Sequence, residues 1–277
     1  MDIYAVIGAP IHHSMSPKMH NSQIKSLGLD AIYIPLLIDP KDLKDGILGM
    51  RALNIKGFNV TIPHKEAIMP LLDEIEPSAK AIGAVNTVIR DGNRLIGTNT
   101  DCSGFTSSLK EKNIVINHKK ILVLGAGGAA RAIVYGLCEE NAQMICVANR
   151  SISRAKALIE DFSQFGMLEA CTLENAMKET EKYDMIVNTT SVGMYPNVSD
   201  NPLPNVKFKS DAVVVDIIYN PSMTALLQWA QKSGCQVING LGMFVHQGAI
   251  AFSRWTGMNP NLFEMEAVVK KCLEGKK

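Results

Sequence analysis

Ten residues, Ile121 to Ala130, constrain this chain more than any others. Ile-Leu-Val-Leu has the character of a buried strand, and it runs straight into Gly125-Ala126-Gly127-Gly128-Ala129-Ala130 before a helical pattern begins. Gly125, Gly127 and Ala130 fill the three small positions of G-x-G-x-x-A. The first glycine permits a tight turn, and the second lets backbone approach a pyrophosphate. The small third residue lets the helix pack close to the strand, with its N-terminus facing the phosphates. A glycine loop of purely structural purpose is the rival reading. A strand before and a helix after favour dinucleotide binding, with Gly125, Ala126, Gly127, Gly128 and Ala129 as the candidate contacts.

The end of the next strand says which nucleotide. An NAD site wants Asp or Glu about 20 residues on, to hold the ribose 2′-hydroxyl. Here Met144–Ala148 ends in Asn149-Arg150-Ser151, with Arg154 one helical turn later. A guanidinium suits a 2′-phosphate, which it can clamp bidentately. The alternative is two solvated arginines at a helix start, where the dipole mildly disfavours cations. The expected cofactor is NADP.

The rest of the chain alternates short apolar runs with helical stretches, the mark of an α/β protein. With about 150 residues per domain, a length of 277 suggests two domains. Strands are expected at 3–7, 31–37, 57–60, 121–124, 144–148, 167–171, 184–188, 212–216 and 235–238. Helices are expected at 17–28, 40–53, 101–112, 128–140, 153–163, 173–181 and 222–233, with two more near 243–256 and 261–273. Val85–Arg90 and Arg94–Gly97 flank Asp91-Gly92-Asn93, a hairpin turn that would add an edge pair to the first sheet. The polar break at Asn117-His118-Lys119-Lys120 places a domain boundary between about 103 and 118.

Charge excludes some partners. Lys and Arg number 28 against 27 Asp and Glu, leaving a net charge of +1, no footprint for a nucleic-acid backbone or an anionic membrane. Ser233 to Ser253 lacks charge, apart from histidine, but its four glycines and its Gln, Asn and His residues make a poor membrane span. The six cysteines are scattered without a CxxC pair and read as small buried hydrophobes in a reducing compartment. No basic leader precedes the first apolar run. The expected setting is a soluble cytoplasmic protein. The six histidines form no metal-ligand spacing, so no metal is expected.

Polar clusters follow the first strands. In His12-His13-Ser14-Met15-Ser16-Pro17, Ser16 fits an N-cap with Pro17 at N1, and the two serines fit donors to a polyhydroxylated ligand equally well. In Asn59-Val60-Thr61-Ile62-Pro63-His64-Lys65, Pro63 would open a helix with Lys65 in its first turn, either solvated or held for chemistry. Gly83-Ala84-Val85-Asn86-Thr87 and Gly97-Thr98-Asn99-Thr100-Asp101 complete the set. Asp101 could sit in a helix's first turn with Asn99 or Thr100 as cap. Lys65 and Asp101 together would make a proton-transfer pair.

Taken together, these motifs resemble the shikimate dehydrogenase family over nearly the whole chain. The resemblance rests on Gly8-x-Pro10-x-x-His13-Ser14-x-Ser16-Pro17-x-x-His20-Asn21, Asn59-Val60-Thr61-x-Pro63-x-Lys65, Gly83 to Thr87 and Asn99-Thr100-Asp101. It continues through the glycine turn, Asn149-Arg150, Asn188-x-Thr190-x-x-Gly193-Met194, Asp216-x-x-Tyr219-x-Pro221 and Gly240-Leu241-Gly242-Met243-Phe244-Val245-x-Gln247.

The resemblance implies reversible NADPH-dependent reduction of 3-dehydroshikimate to shikimate, in aromatic amino-acid biosynthesis. Lys65 and Asp101 would be catalytic. Ser14, Ser16, Thr61, Asn86, Asp101, Tyr219 and Gln247 would bind shikimate. Gly125 to Ala129, Asn149, Arg150, Ser151 and Arg154 would bind NADP, with Ile217, Gly240 and Met243 toward the nicotinamide. An α/β substrate domain (1–103, rejoined by 239–277) and a Rossmann domain (104–238) are implied, with the C-terminal helices returning to the first. A homodimer is a possible assembly. Three residues depart from the pattern: Phe244 replaces a common leucine, Cys102 a frequent glycine, and Pro77 an acidic residue near the cofactor. The alternatives are a quinate/shikimate dehydrogenase with relaxed cofactor use, or a non-catalytic NADP sensor.

Overall fold

Alternating side chains decide which face of a strand is buried, beginning with Asp2–Gly8 (β1). Ala5 and Ile7 join Leu43, Ile47, Met50, Phe58 and Val60 in one buried cluster. Tyr4 and Val6 point the other way, into a cluster with Ile24, Tyr33 and Phe252. Each such Ile, Val or Leu contributes about 1.5–3 kcal/mol by leaving water. Both faces of β1 are therefore covered, as a parallel strand requires.

The computed structural model describes residues 1–274, which divide into two units. One is Met1–Gly104 with the chain from Val245 on, and the other is Phe105–Phe244. The first contains β1, Ser16–Ser26 (α1), Ala31–Leu37 (β2), Leu43–Ala52 (α2), Gly57–Val60 (β3), Glu74–Ile75 (β4), Pro77–Ile82 (α3), Thr87–Asp91 (β5) and Arg94–Thr98 (β6). Its sheet runs β2-β1-β3-β5-β6-β4. Strands β1, β2 and β3 are parallel, and β5 and β6 form the expected hairpin. That hairpin is not at the edge, because β4 pairs with β6 beyond it. Two residues are too few to leave a periodic signal, so β4 was invisible in the sequence, as was the six-residue helix α3.

Asp101–Glu111 (α4) leads into the second unit, whose sheet is Lys120–Leu124 (β7), Met144–Asn149 (β8), Leu168–Thr172 (β9), Met185–Asn188 (β10), Val213–Asp216 (β11) and Gln236–Ile238 (β12). Helices Gly128–Glu139 (α5), Ile152–Asp161 (α6), Leu173–Lys178 (α7) and Ala225–Lys232 (α8) lie between those strands. All its pairings are parallel, in the order β12-β11-β10-β7-β8-β9. Ile121 and Val123 face one core with Ile133 and Leu137, while Leu122 and Leu124 face another with Leu226 and Leu227. This is the doubly wound Rossmann arrangement.

Leu241–Thr256 (α9) and Leu262–Glu274 (α10) close the described chain. The return to the first unit comes at Val245, later than the expected 239. Gly240 donates its N–H to the Ile218 carbonyl, and Met243 packs in the core with Val215, so residues 239–244 stay with the second unit. Beyond Val245 the helices pack on the first sheet and on α1. Trp255 donates its indole N–H to the Val88 carbonyl at 3.0 Å, and Gln23 donates to Glu264 at 3.1 Å.

Candidate active site

Register gathers the first cluster. Ile7 pairs with Val60, Asn59 with Thr87, and Thr87 with Thr98. Because β5 is antiparallel to β3 and β6, its start lies beside the carboxyl ends of β3 and β6. Thr61 and Lys65 leave β3 there, Asn86 enters β5, and Asp101 follows β6.

Asp101 opens α4 but does not cap it. Asn99 Oδ1 accepts the backbone N–H of Asp101 at 3.0 Å and of Cys102 at 3.3 Å, which frees the Asp101 carboxylate. Lys65 Nζ donates to Asp101 Oδ2 at 2.5 Å, and Asn86 Nδ2 donates to Oδ1 at 2.8 Å. The Lys65 and Asp101 side chains are only 14% and 7% exposed. No helix forms over 63–68, contrary to expectation. The Lys65 carbonyl accepts the Val85 N–H instead of a helical one, and the buried His64 ring bonds the Ile38 carbonyl at 2.7 Å. Lys65 is therefore held against a carboxylate in a nearly dry place, equipped to give or take a proton at a neighbouring oxygen.

Ser16 does not cap α1 either. It is the first residue of that helix, its side chain makes no cap bond, and its N–H goes to Ser14 Oγ at 3.3 Å. Its hydroxyl lies toward the buried Tyr33 phenol. Thr61 is half-buried, its N–H on the Ile7 carbonyl. Gln247 of α9 lies against Gly104, where an added Cβ would stand 2.7 Å from the Gln247 Cβ, so α4 and α9 touch one turn beyond Asp101. Six of the seven predicted substrate residues thus fall in the first unit. Tyr219 belongs to the second, stacked on Phe244 at 4.4 Å.

The winding of the second sheet reverses between β7 and β10, the point where open α/β sheets bind ligands. Gly125 sits there with φ +109°, and a Cβ on it would stand 2.5 Å from Thr189 Oγ1. At Gly127 an added Cβ meets open space. Helix α5 starts with no side-chain cap and no acidic residue in its first turn, so its leading N–H groups are left to an anion. These features fit a pyrophosphate. Arg150 and Arg154 are exposed at the start of α6, and among the described residues neither is paired with a carboxylate. Asn149 Nδ2 donates to the Ser151 carbonyl at 3.0 Å, and the Ser151 and Ser153 hydroxyls meet at 2.8 Å. Ile217 follows β11, with Gly240 packed so tightly on its carbonyl that any Cβ would collide. Met243 is a core residue of this unit.

Sequence reasoning named Asn188 and Asp216 only as motif letters. The structure gives them work. Asp216 is fully buried and accepts from Asn188 Nδ2 at 3.1 Å, the Ile218 N–H at 3.1 Å and Thr224 Oγ1 at 2.7 Å. Burial pushes its pKa up to about 6. Asn188 Oδ1 in turn accepts from the Thr190 hydroxyl at 2.7 Å, fixing the loop after β10. The readable signal was a polar residue ending each of two apolar strands. His20 was also only a motif letter. It is fully buried, stacked on Tyr33 at 4.3 Å, with both ring nitrogens unbonded and its pKa lowered to about 3 by burial. Among the described residues no group of three His, Cys, Asp or Glu side chains is placed to hold a metal, and no helix is long and apolar enough to cross a membrane.

Known proteins match this chain over most of its length. Residues 6–88 match the shikimate dehydrogenase substrate binding domain, 108–221 the shikimate/quinate 5-dehydrogenase domain, and 240–270 the shikimate 5′-dehydrogenase C-terminal domain. A Bacillus subtilis (strain 168) protein named shikimate dehydrogenase (NADP(+)) is 47% identical over 274 residues, covering 99% of this chain and 98% of that one. This chain belongs to the shikimate dehydrogenase family. The Thermus thermophilus enzyme, solved with NADP(H) and shikimate, is 39% identical with a TM-score of 0.90, covering 99% of this chain and 100% of that one. A quinate dehydrogenase from Corynebacterium glutamicum, solved with NAD, is 29% identical with a TM-score of 0.89, covering 98% and 99%. The fold is therefore shared by members that differ in substrate and cofactor.

Proposed function

We propose that this chain interconverts 3-dehydroshikimate and shikimate with NADP(H), a step of aromatic amino-acid biosynthesis, using Lys65 and Asp101 as its proton-transfer pair. The observation that carries the reading is the 2.5 Å contact between Lys65 Nζ and Asp101 Oδ2, with Asn86 on the second carboxylate oxygen. NADP, when bound, supplies or accepts the hydride. Lys65 gives a proton to the substrate oxygen as a carbonyl becomes an alcohol, and takes it back in the reverse direction. Its charge stabilises alkoxide character on that oxygen. Asp101 holds the ammonium in place, and Asn86 holds Asp101.

In this reading the first unit binds substrate through Ser14, Ser16, Thr61, Asn86, Asp101 and Gln247, and Tyr219 is the one expected substrate residue that belongs to the second. The second unit holds NADP on Gly125 to Ala129, Asn149, Arg150, Ser151 and Arg154, with Ile217, Gly240 and Met243 toward the nicotinamide. The lack of an acid directly after Ala148, and two guanidiniums without a carboxylate partner among the described residues, support NADP over NAD. A cytoplasmic homodimer is the expected setting, checked by light scattering of the purified protein and by cell fractionation.

The deciding assay follows absorbance of the reduced cofactor with shikimate or quinate and NADP or NAD, in all four combinations. Rapid turnover with shikimate and NADP alone is the expected result. Comparable rates with quinate or NAD move the chain toward the broader branch of the family. Silence in all four leaves a nucleotide sensor.

A further inference from the structure

Behind the Lys65–Asp101 pair runs a line of polar side chains shut away from water, and two backbone groups fix the direction of its hydrogen bonds. The Thr100 N–H donates to Asn86 Oδ1 at 2.7 Å, so the other end of that amide must donate, and it does so to Asp101 Oδ1 at 2.8 Å. Asn59 Nδ2 donates to the Asn86 carbonyl at 3.3 Å, which leaves Asn59 Oδ1 to accept from the Tyr33 phenol at 2.7 Å. Asn59 Nδ2 also donates to Thr87 Oγ1 at 3.0 Å. Having accepted there, the Thr87 hydroxyl turns its one proton to Asn86 Oδ1 at 3.0 Å, with Thr100 Oγ1 beside it at 3.2 Å.

Each donor in this series therefore polarises the next: Tyr33 to Asn59, Asn59 to Thr87, Thr87 to Asn86, and Asn86 to the carboxylate. Thr87 is 0% exposed and Tyr33 1%, so neither reaches a ligand. The charged group that meets Asp101 is Lys65, while Asn86 and Asn99 meet it as neutral amides.

We infer that Thr87, backed by Asn59 and Tyr33, is a positioning residue for the reaction. With Thr100 it holds the Asn86 amide with its N–H on Asp101, and so keeps that carboxylate turned toward Lys65. The inference rests on the reading of Lys65 and Asp101 as the proton-transfer pair. Removing the Thr87 hydroxyl leaves Asn86 Oδ1 with Thr100 alone, its N–H at 2.7 Å and its hydroxyl at 3.2 Å, and takes away the polarisation that strengthens the Asn86 bond to the carboxylate.

The test uses Thr87→Val, Thr87→Ser, Tyr33→Phe and Asp101→Asn, each as the full chain, in shikimate oxidation with NADP from about pH 5 to about pH 10. In Thr87→Val we expect kcat to fall about tenfold, equivalent to about 1.4 kcal/mol. The KM for NADP is unchanged, and the acidic limb of kcat/KM moves to higher pH. Thr87→Ser restores both, and Tyr33→Phe shifts the limb in the same direction by less. An acidic limb that stays in place in Thr87→Val overturns the inference, whatever happens to thermal stability. Should that variant fail to fold, Tyr33→Phe reads the same limb, and no shift there overturns it equally. Asp101→Asn keeps the two readings apart. If it retains the limb, the proton-transfer pair itself is wrong and the positioning role falls with it. If it loses the limb while the Thr87 and Tyr33 variants leave it unmoved, only the positioning role is refuted.

Discussion

At the ends of β3, β5 and β6, polar side chains hold one another: Lys65, Asn86, Thr87, Thr100 and Asp101 are buried or nearly so, with each amide and carboxylate oxygen accepting a bond. At the ends of β7 and β8, the cradle is mostly backbone, and its two guanidiniums stand in solvent. The difference follows from what each region must do. A proton passes only between atoms already in line, so its carriers must be fixed before the ligand arrives. A diphosphate presents charge in many directions. Leading N–H groups and flexible arginines meet it without a prebuilt side-chain network.

If that contrast holds, damage to the first region should cost catalysis and damage to the second should cost affinity. The largest effect is expected from Lys65→Ala, a fall in kcat of about 10²–10⁴ with the fold retained by circular dichroism. Near-normal turnover would break the contrast outright. Arg150→Ala is expected to raise the KM for NADP by about tenfold, the loss of one charged hydrogen bond, with kcat and the KM for NAD little changed. A fall in kcat of the same size would mean the exposed arginine takes part in the chemistry after all.

A last effect, on stability rather than on activity, separates rigidity from reactivity. Because His20 holds its pKa near 3 when folded and near 6.5 when unfolded, the unfolded chain binds the extra proton between those values. Its contribution to stability is therefore complete above about pH 6.5 and declines as pH falls, by about 2 kcal/mol at pH 5. Urea midpoints at the two pH values, compared between the wild type and His20→Leu, read this directly. The variant should lose less stability on acidification. An equal loss in both would remove His20 from the packing of the first region.

The contrast also explains what the sequence disclosed. The glycine turn is local: strand, turn and helix are adjacent in the chain, so Gly125 to Ala130 spelled out its own geometry. The Lys65–Asp101 contact joins residues 36 apart, and no periodicity records it. Pro63 looked like a helix start, but the Lys65 carbonyl is claimed by Val85 and the helix does not form. Ser16 looked like a cap and is instead the helix's first residue, its hydroxyl turned to Tyr33. Local chemistry offered both options in each case, and tertiary pairing chose. Tyr219 and Gln247 were named only through the order of the motifs taken as a whole, since neither carries a local signal of its own.

One consequence lies in the interleaving of the chain. The face of the first sheet that carries Tyr4 and Val6 is covered by Phe252 and Trp255, almost 250 positions later. A ribosome adding about 5–20 residues per second exposes that face for on the order of ten seconds or more before its cover is made. The second unit, continuous from Phe105 to Phe244, has its whole core available sooner. The domain that begins first is thus finished last, and chaperone demand during synthesis should fall on β1 rather than on the Rossmann sheet.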